Sequence, residues 1–237
     1  MEKSLTPFRP VNENLVRLVK CNVLTCFSTD PTPALVLELA CQAYNWADTL
    51  ISRFETENPL PHPLACRPGC DFCCYNQIEV TPLEAFAIWD YIGNWSSPER
   101  ARLQKKVAIS AAKKARMTKA EVARARRQFP CPFLKDRLCA IYPVRPLLCR
   151  AMHSLDAGHC QHSLRQAQSL IPDQYYLHRD EIVWSILQGL VEGLKEAGCQ
   201  VSAQDLTLAT AWFFQVHRGI IENWLHGERV FPDSPPS

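Results

Sequence analysis

Apolar residues recur at three- and four-residue spacing in three long stretches of the chain, which predicts amphipathic α-helices. The first runs from Ala34 to about Phe54, behind a Thr32-Pro33 pair that is typical of a helix start. The other two are predicted over 178–197 and 203–226. The apolar positions expected to face the core are Leu35, Leu39, Ala43, Trp46, Leu50 and Phe54 in the first helix, Ile182, Ile186, Leu190 and Leu194 in the second, and Ala209, Trp212, Phe213, Val216, Ile220 and Trp224 in the third.

Capping signals predict further helices in the middle of the chain. Thr81-Pro82-Leu83-Glu84 combines an N-cap, a proline at the first helical position and a capping-box glutamate, so a helix is expected from here to about Ile92. A short strand is predicted just before it, at 77–80. Ser96 to Glu99 and Thr118 to Glu121 predict two consecutive helices, or one kinked helix, over about 98–128. The chain is therefore expected to be mainly α.

The charge of the chain is small overall but unevenly distributed. The net charge is +2, whereas the 29 residues from Glu99 to Arg127 hold eleven Lys or Arg and two Glu, a local balance of +9. An RNA or an acidic protein is a natural partner for such a segment. The segment lacks aromatic residues for stacking on bases, however, and a solvated helical arm is the simpler interpretation.

The twelve cysteines are more informative about function than the charge is. The first residues contain no apolar core of a secretory signal, and no run of about 18 apolar residues predicts a membrane span. We therefore expect a cytoplasmic protein, in which thiols are kept reduced and cysteines in such numbers bind metal more often than they form disulfides.

Eight of the cysteines form two clusters along the chain. The first cluster lies in the nine-residue stretch CRPGCDFCC, and the second is spread over a loop-rich segment that follows the basic helices. The predicted metal ligands are Cys66, Cys70, Cys73 and Cys74 in the first cluster and Cys131, Cys139, Cys149 and Cys160 in the second. Thiolates suit zinc or the iron of an iron–sulfur centre. The irregular spacing favours iron slightly, and the identity of the metal stays open.

Three details of these clusters bear on the geometry. Gly69 suits a backbone that turns sharply before Cys70. Adjacent residues direct their side chains apart, so Cys73 and Cys74 are expected to serve two different sites, or to leave one thiol spare. His153, His159 and His162 lie near the second cluster, and His159 is the best substitute ligand among them.

The two linked motifs resemble the YkgJ-type cysteine cluster proteins, the zinc- or iron-chelating CxxCxxCC family. The matching residues are Cys66-x3-Cys70-x2-Cys73-Cys74 with Thr81-Pro82-Leu83-Glu84, and then Cys131-Pro132-Phe133-Leu134, Cys139, Tyr142, Arg145-Pro146, Cys149-Arg150 and Cys160. The resemblance covers about 66–160 and implies a metal-binding protein with a structural or metal-handling role. It specifies no reaction and no substrate.

Residues around the thiols are expected to support the metal. Four thiolates around Zn²⁺ or a [4Fe–4S]²⁺ core leave a formal charge of −2, which must be neutralised if it is buried. Arg67, Arg145 and Arg150 are placed to supply positive charge, and Tyr142 to exclude water.

Two enzyme interpretations use the same cysteines. Cys66-x3-Cys70-x-Phe72-Cys73 is similar to the cluster loop of radical S-adenosylmethionine enzymes, but a proline-rich segment precedes it here, where those enzymes have a barrel strand. Flagellin lysine N-methylases contain a similar cysteine-cluster domain, so an iron–sulfur oxidoreductase or a methylase-type enzyme is the alternative to a metal-binding protein.

The predicted architecture is an irregular, cysteine-rich, metal-centred segment packed among helices. We expect an N-terminal helical segment at 1–60, a cysteine-cluster domain at 61–165 that contains a basic helical insertion at 97–129, and a C-terminal helical region at 166–237.

Overall fold

The computed structural model describes residues 10–166, 175–216 and 219–232, and this part of the chain is mainly helical, as predicted. Its α-helices are α1 Glu13–Phe27, α2 Pro33–Glu57, α3 Pro82–Gly93, α4 Ser97–Lys114, α5 Lys119–Arg124, α6 Leu147–Ala151, α7 Ala157–Arg165, α8 Leu177–Glu196, α9 Leu206–Phe213 and α10 Ile220–Leu225. Four two-residue strands are β1 Glu79–Val80, β2 Leu134–Lys135, β3 Leu138–Cys139 and β4 Gln204–Asp205, and short 3-10 helices lie at Phe72–Tyr75, Arg126–Gln128 and Tyr142–Val144.

The predicted helix starts are confirmed by their capping hydrogen bonds. Thr32 accepts from the backbone N–H of Leu35 at the start of α2. Thr81 and Thr118 form capping boxes at the starts of α3 and α5. The basic segment is two consecutive helices, α4 and α5, rather than one. These helix starts could be predicted from the sequence because the residues that form a cap lie only three positions apart.

The predicted apolar face of α2 is confirmed at Leu39 and Ala43, but at the other predicted positions the buried face is shifted by about one residue. The buried residues of this helix are Val36, Leu39, Ala40, Ala43, Tyr44, Ala47 and Ile51. Leu35 and Leu50 are only partly buried, and Phe54 is 40% exposed. Helices α3, α6 and α8 pack against α2.

The helix predicted over 203–226 is wrong as a continuous element. Asp205 caps α9 by accepting from the N–H groups of Thr207 and Leu208, and α9 ends at Phe213. A separate helix, α10, begins after Gly219, whose φ of +89° interrupts the helical backbone. The predicted apolar residues of this region still pack against the core, and one of them, Val216, lies between the two helices.

Helix α1 packs closely on α8 because two glycines remove side chains from the interface. A Cβ added at Gly189 would lie 2.6 Å from the carbonyl oxygen of Val16, and one at Gly193 would lie 2.7 Å from the Cβ of Val23. Such approaches are shorter than normal van der Waals contact, so these positions of α8 accept only glycine at this helix separation.

One hydrophobic core joins residues from all three predicted segments. Its aromatic part is built around Phe86 of α3, which packs edge-on against Phe213 and Trp224. The antiparallel pair β1–β4 holds the residues before α3 beside those before α9. The division into three domains stays a prediction.

Within the described residues, no helix is both long and apolar enough to span a membrane.

Candidate metal centre

The first cysteine cluster is a tight turn that leads into a 3-10 helix. Gly69 has a φ of +88°, as the expected sharp turn requires, and the N–H of Cys70 donates to the carbonyl of Arg67 at 2.9 Å. The 3-10 helix Phe72–Tyr75 then carries Cys73 and Cys74 in a single turn. This turn brings two thiols to adjacent positions near the middle of the cluster.

The second cluster is distributed over a hairpin and two short helices. Strands β2 and β3 pair Leu134 with Cys139, and Asp136 and Arg137 between them adopt positive φ values of 51° and 63°. Cys149 lies on α6, and Cys160 lies on α7, whose first N–H groups are capped by the Asp156 carboxylate. Each of these cysteines is held by its own local element.

Backbone hydrogen bonds bring the two clusters together. The N–H of Cys131 donates to the carbonyl of Cys74 at 2.7 Å. The N–H of Ala65 donates to the carbonyl of Ser154 at 2.9 Å, and α7 packs against the 3-10 helix Phe72–Tyr75. All twelve cysteines have free thiols. The clusters therefore meet through non-covalent contacts, with no disulfide between them.

The thiols of the second cluster are held in their protonated form by burial. Burial raises the pKa of Cys131 to about 11. It raises the pKa of Cys149 further above its ordinary value, and the nearby sulfurs of Cys131, Cys73 and Cys139 add to this effect. Burial also raises the pKa of Cys139, against the lowering effect of Arg145 and Arg150.

Cys73 and Cys74 lie in one turn of the 3-10 helix, and their division between two sites stays a prediction. Interaction with the neighbouring Cys74 side chain is the largest cause of a strongly raised pKa at Cys73, followed by burial. The tight 3-10 turn of the backbone places adjacent side chains closer than an extended chain would.

The ligand shell is not assembled in the arrangement described here. Among the described residues, no group of three or more His, Cys, Asp or Glu side chains is placed so that it could hold a metal ion. The role of the thiols as ligands therefore stays a prediction from the sequence.

A buried arginine lies beside the second cluster, as expected. The Arg150 side chain is 2% exposed and donates to the Asp48 carboxylate and to the carbonyls of Pro143 and Arg145. Its guanidinium lies 4.5 Å from the ring centre of Tyr44. Asp48 and Tyr44 belong to α2, where no sequence motif marks them.

The other predicted supporting residues differ in their surroundings. The Arg145 guanidinium stacks 4.0 Å from the ring centre of Tyr142 and donates to Asp48. Tyr142 is 60% exposed, so it forms no dry shell around a metal. Arg67 is exposed in the first turn of the cluster. Arg150 is thus the most buried of the three arginines, and Arg145 also supplies positive charge near Cys139, whose pKa it lowers against the larger effect of burial.

Residues 65–169 match the family model CxxCxxCC, described as "Putative zinc- or iron-chelating domain". The matched segment, residues 65–169, is similar to this family and is called the CxxCxxCC domain below. Comparisons with the curated proteins and with the solved structures found no match to the chain. The family description supports metal binding by the domain, without specifying the metal or a reaction.

Glu84 connects the two halves of the CxxCxxCC domain. Its carboxylate accepts from the N–H and hydroxyl of Thr81 in the capping box and also from the N–H of Leu147, at the first residue of α6. The side chain is 2% exposed, and burial raises its pKa despite these hydrogen bonds. One carboxylate thus caps α3 and, across the domain, the helix that carries Cys149.

The basic insertion of the domain is not simply a solvated arm, because several of its cations bind to other segments of the protein. Lys106 donates to the carbonyls of Cys131, Pro132 and Leu134 at 2.8–3.3 Å. Lys114 is buried against Asp205, and Arg126 is buried with hydrogen bonds to Asn76 and Ser163.

Exposed cations of the insertion include Arg102, Lys105, Lys113 and Arg116. An RNA or acidic protein partner for them stays a prediction.

The histidine nearest in sequence to Cys149 has another role. His153 is buried, with Nδ1 2.7 Å from the carbonyl oxygen of Ala151 and Nε2 accepting from the N–H of Tyr176 at 2.6 Å. Both ring nitrogens are therefore engaged by the backbone.

The cysteines outside the domain are not part of the candidate site. Cys21 and Cys41 lie exposed on α1 and α2, and Cys199 is buried in the hydrophobic core.

Proposed function

We propose that the CxxCxxCC domain binds zinc or iron, the latter in an iron–sulfur centre, through Cys66, Cys70, Cys73, Cys74, Cys131, Cys139, Cys149 and Cys160. In this proposal the chain is a structural or metal-handling protein of the cytoplasm. The observation that carries it is the convergence of two thiol clusters, distant in sequence, around one 3-10 helix. Twelve free thiols agree with a reducing compartment.

The donor chemistry fits a soft or borderline cation. Thiols whose pKa is raised by burial stay protonated until a metal replaces the proton, so binding will release protons and strengthen with pH. Arg150 and Lys106 place positive charge beside the second cluster, where thiolates would otherwise be uncompensated. A bound metal would cross-link the two clusters.

An unpaired buried hydroxyl near Cys149 also fits a thiolate centre. Tyr44 Oη is buried without a hydrogen-bond partner among the described residues, and Cys149 is one of its electrostatic neighbours. Leaving such a group unpaired costs about 1–3 kcal/mol. A thiolate at Cys149 would be an acceptor for this O–H, whereas a protonated thiol is a weak one.

The test is the metal content of protein purified without oxygen. Elemental analysis and a visible spectrum should show zinc or iron in the wild type, less in Cys149→Ser, and an unchanged amount in Cys41→Ser, an exposed cysteine outside the domain. Colourless zinc without a redox response would eliminate the alternative of an iron–sulfur oxidoreductase or methylase-type enzyme. Wild-type protein that takes up neither metal, even after reconstitution, would refute the proposal.

A further inference from the structure

Helix α4 of the basic insertion is fixed on the protein by one of its faces. It packs against α9, and its buried residues are Leu103, Val107 and Lys114. The ammonium group of Lys106 binds carbonyls of the hairpin segment, and that of Lys114 binds the Asp205 carboxylate. These contacts set the rotation of α4 about its own axis, so its other face has a defined direction toward solvent.

The face of α4 that is turned away from its buried residues carries cations at three- and four-residue spacing. Residues at this spacing are neighbours on a helix surface, so their side chains form one row. At the helical rise per residue, the row is about 20 Å long. We call it the α4 stripe, and its members, all exposed, are Arg102, Lys105, Ile109, Lys113 and Arg116.

Among the described residues, no carboxylate forms an ion pair with a cation of the α4 stripe. The two acidic residues of the insertion are engaged at helix starts. Glu99 accepts from the Ser96 hydroxyl at 2.7 Å, and Glu121 accepts from the Thr118 hydroxyl at 2.9 Å. Four positive charges therefore share one rigid helix face, and the surface is complementary to a partner with carboxylates or phosphates.

Ile109 distinguishes between these kinds of partner. Its side chain is 51% exposed in the middle of the stripe, with two cations on either side along the helix. A nucleic acid gains nothing from an apolar side chain here, and the stripe has no aromatic residue on which a base could stack. A membrane surface requires a whole apolar face, and that of α4 is buried against the core. A helix of another protein can cover Ile109 with an apolar residue while its carboxylates bind the flanking cations.

We propose that the α4 stripe is a docking surface for an acidic, amphipathic helical segment of a partner protein. Carboxylates of the partner bind Arg102, Lys105, Lys113 and Arg116, and an apolar residue between them covers Ile109. Docking at this surface is a function additional to metal binding and does not rest on it. Because the cations are exposed, association is accelerated by their field and weakens as salt is added.

A designed peptide tests this surface on the full-length protein. The probe is a fluorescent helical peptide of about 20 residues, with four glutamates at the spacing of the four cations and a leucine between the second and the third. Fluorescence anisotropy should show binding that weakens with salt. Replacing the four cations of the stripe by glutamine should weaken binding about tenfold or more, and Ile109→Ser alone should weaken it about threefold or more.

The matched control removes the same amount of charge elsewhere on the surface. It should change the affinity for the peptide by about twofold or less, because these cations lie outside the stripe. Circular dichroism checks that all variants keep their helices. The four exposed cations replaced by glutamine in the control are Arg17, Arg53, Arg127 and Lys195. Wild-type protein that does not bind the peptide, or equal losses in the stripe and control variants, would overturn the proposal.

Other occupants of the stripe are separate outcomes. Single-stranded RNA and vesicles containing phosphatidylserine are titrated in the same way, and light scattering measures self-association. Tighter binding of RNA or vesicles than of the peptide, or peptide binding that Ile109→Ser leaves unchanged, would overturn an acidic protein helix as the occupant. A wild-type dimer that the stripe variant loses would identify a second copy of this chain as the occupant and would overturn it as well.

Discussion

The buried carboxylate of Glu84 accepts a hydrogen bond of 2.8 Å from the backbone N–H of Leu147, 63 residues away in sequence. Its other oxygen accepts from the N–H and hydroxyl of Thr81. The capping box that marks α3 in the sequence therefore also fixes the start of α6, the helix that carries Cys149. The Thr-Pro-Leu-Glu motif is thereby linked to the second cysteine cluster through one carboxylate.

Replacing Glu84 by alanine should destabilise the protein by about 2–4 kcal/mol, because the change removes a helix cap and leaves buried N–H groups of Thr81 and Leu147 without acceptors. The free energy of unfolding in urea, measured on the reduced, metal-free protein, checks this. The matched control is Glu121→Ala in the exposed capping box of α5, which should cost about 1 kcal/mol or less. Equal losses in the two variants would show that the link to Leu147 contributes nothing.

Lys106 should matter to the hairpin, and its neighbour Lys105 should not. Lys106→Met removes a donor to three carbonyls between Cys131 and Leu134 and should cost about 1–2 kcal/mol. Lys105 is exposed, and Lys105→Met should change stability by about 0.5 kcal/mol or less. Urea unfolding of both variants measures the difference. If they behave alike, the insertion is a solvated arm as the sequence alone indicated.

Tyr44→Phe should separate metal binding from folding. Because Tyr44 Oη is buried and unpaired, its removal should leave the stability of the metal-free protein unchanged or slightly increased. The same change should weaken zinc binding several-fold, by about 1 kcal/mol, if the hydroxyl donates to the thiolate of Cys149. Competition with a chromophoric chelator measures the affinity. An unchanged zinc affinity would remove Tyr44 from the surroundings of the metal.

The helix starts were predictable from sequence because the residues that form a cap are close neighbours, as at Thr32, Thr81 and Thr118. The buried faces of the helices were harder to predict from sequence, because each face depends on which other elements pack against it. In the sequence, Gly189 and Gly193 look unfavourable for a helix, yet α1 makes its closest approach to α8 at these two residues. That contact joins residues more than 160 positions apart, and no local pattern specifies it.

The residues of the candidate site likewise divide into those that a local sequence pattern marks and those that only the folded structure reveals. The cysteines were identified by residue type and spacing, and Arg150 by its place in the motif. Asp48 carried no such signal, because a lone aspartate on α2 resembles any solvated helix residue until Arg150 is placed beside it. Lys106 was one of eleven cations in a charged segment, and only the path of the hairpin distinguishes it.

A pH dependence of stability should come from Glu55. Burial alone would raise the pKa of this carboxyl, but hydrogen bonds from Arg179 at 2.6 and 2.9 Å and from His178 at 2.9 Å lower it below its ordinary 4.5. A lowered pKa in the folded state means that the unfolded chain takes up the proton first. The stability that Glu55 contributes is therefore fully present above pH 4.5 and is lost as the pH falls through the folded value.

The free energy of unfolding of wild type and Glu55→Gln, measured in urea between pH 3 and pH 6, checks this dependence. The wild type should exceed the variant at the upper end, and the difference should shrink on acidification. A difference that stays constant over the whole range would contradict a role for ionised Glu55.

Removal of the metal should loosen the CxxCxxCC domain while leaving the α1–α8 pair in place. Structural zinc contributes on the order of 10–16 kcal/mol to the folding of small zinc domains, and here it would bridge elements joined by few backbone hydrogen bonds. The packing of α1 on α8 lies outside the domain and depends on close contact at Gly189 and Gly193. Hydrogen exchange after chelator treatment should therefore lose protection at 65–75 and 131–165, with α1 and α8 still protected. Equal protection of the cysteine segments before and after chelation, in protein shown to have lost its metal, would contradict a structural role for that metal.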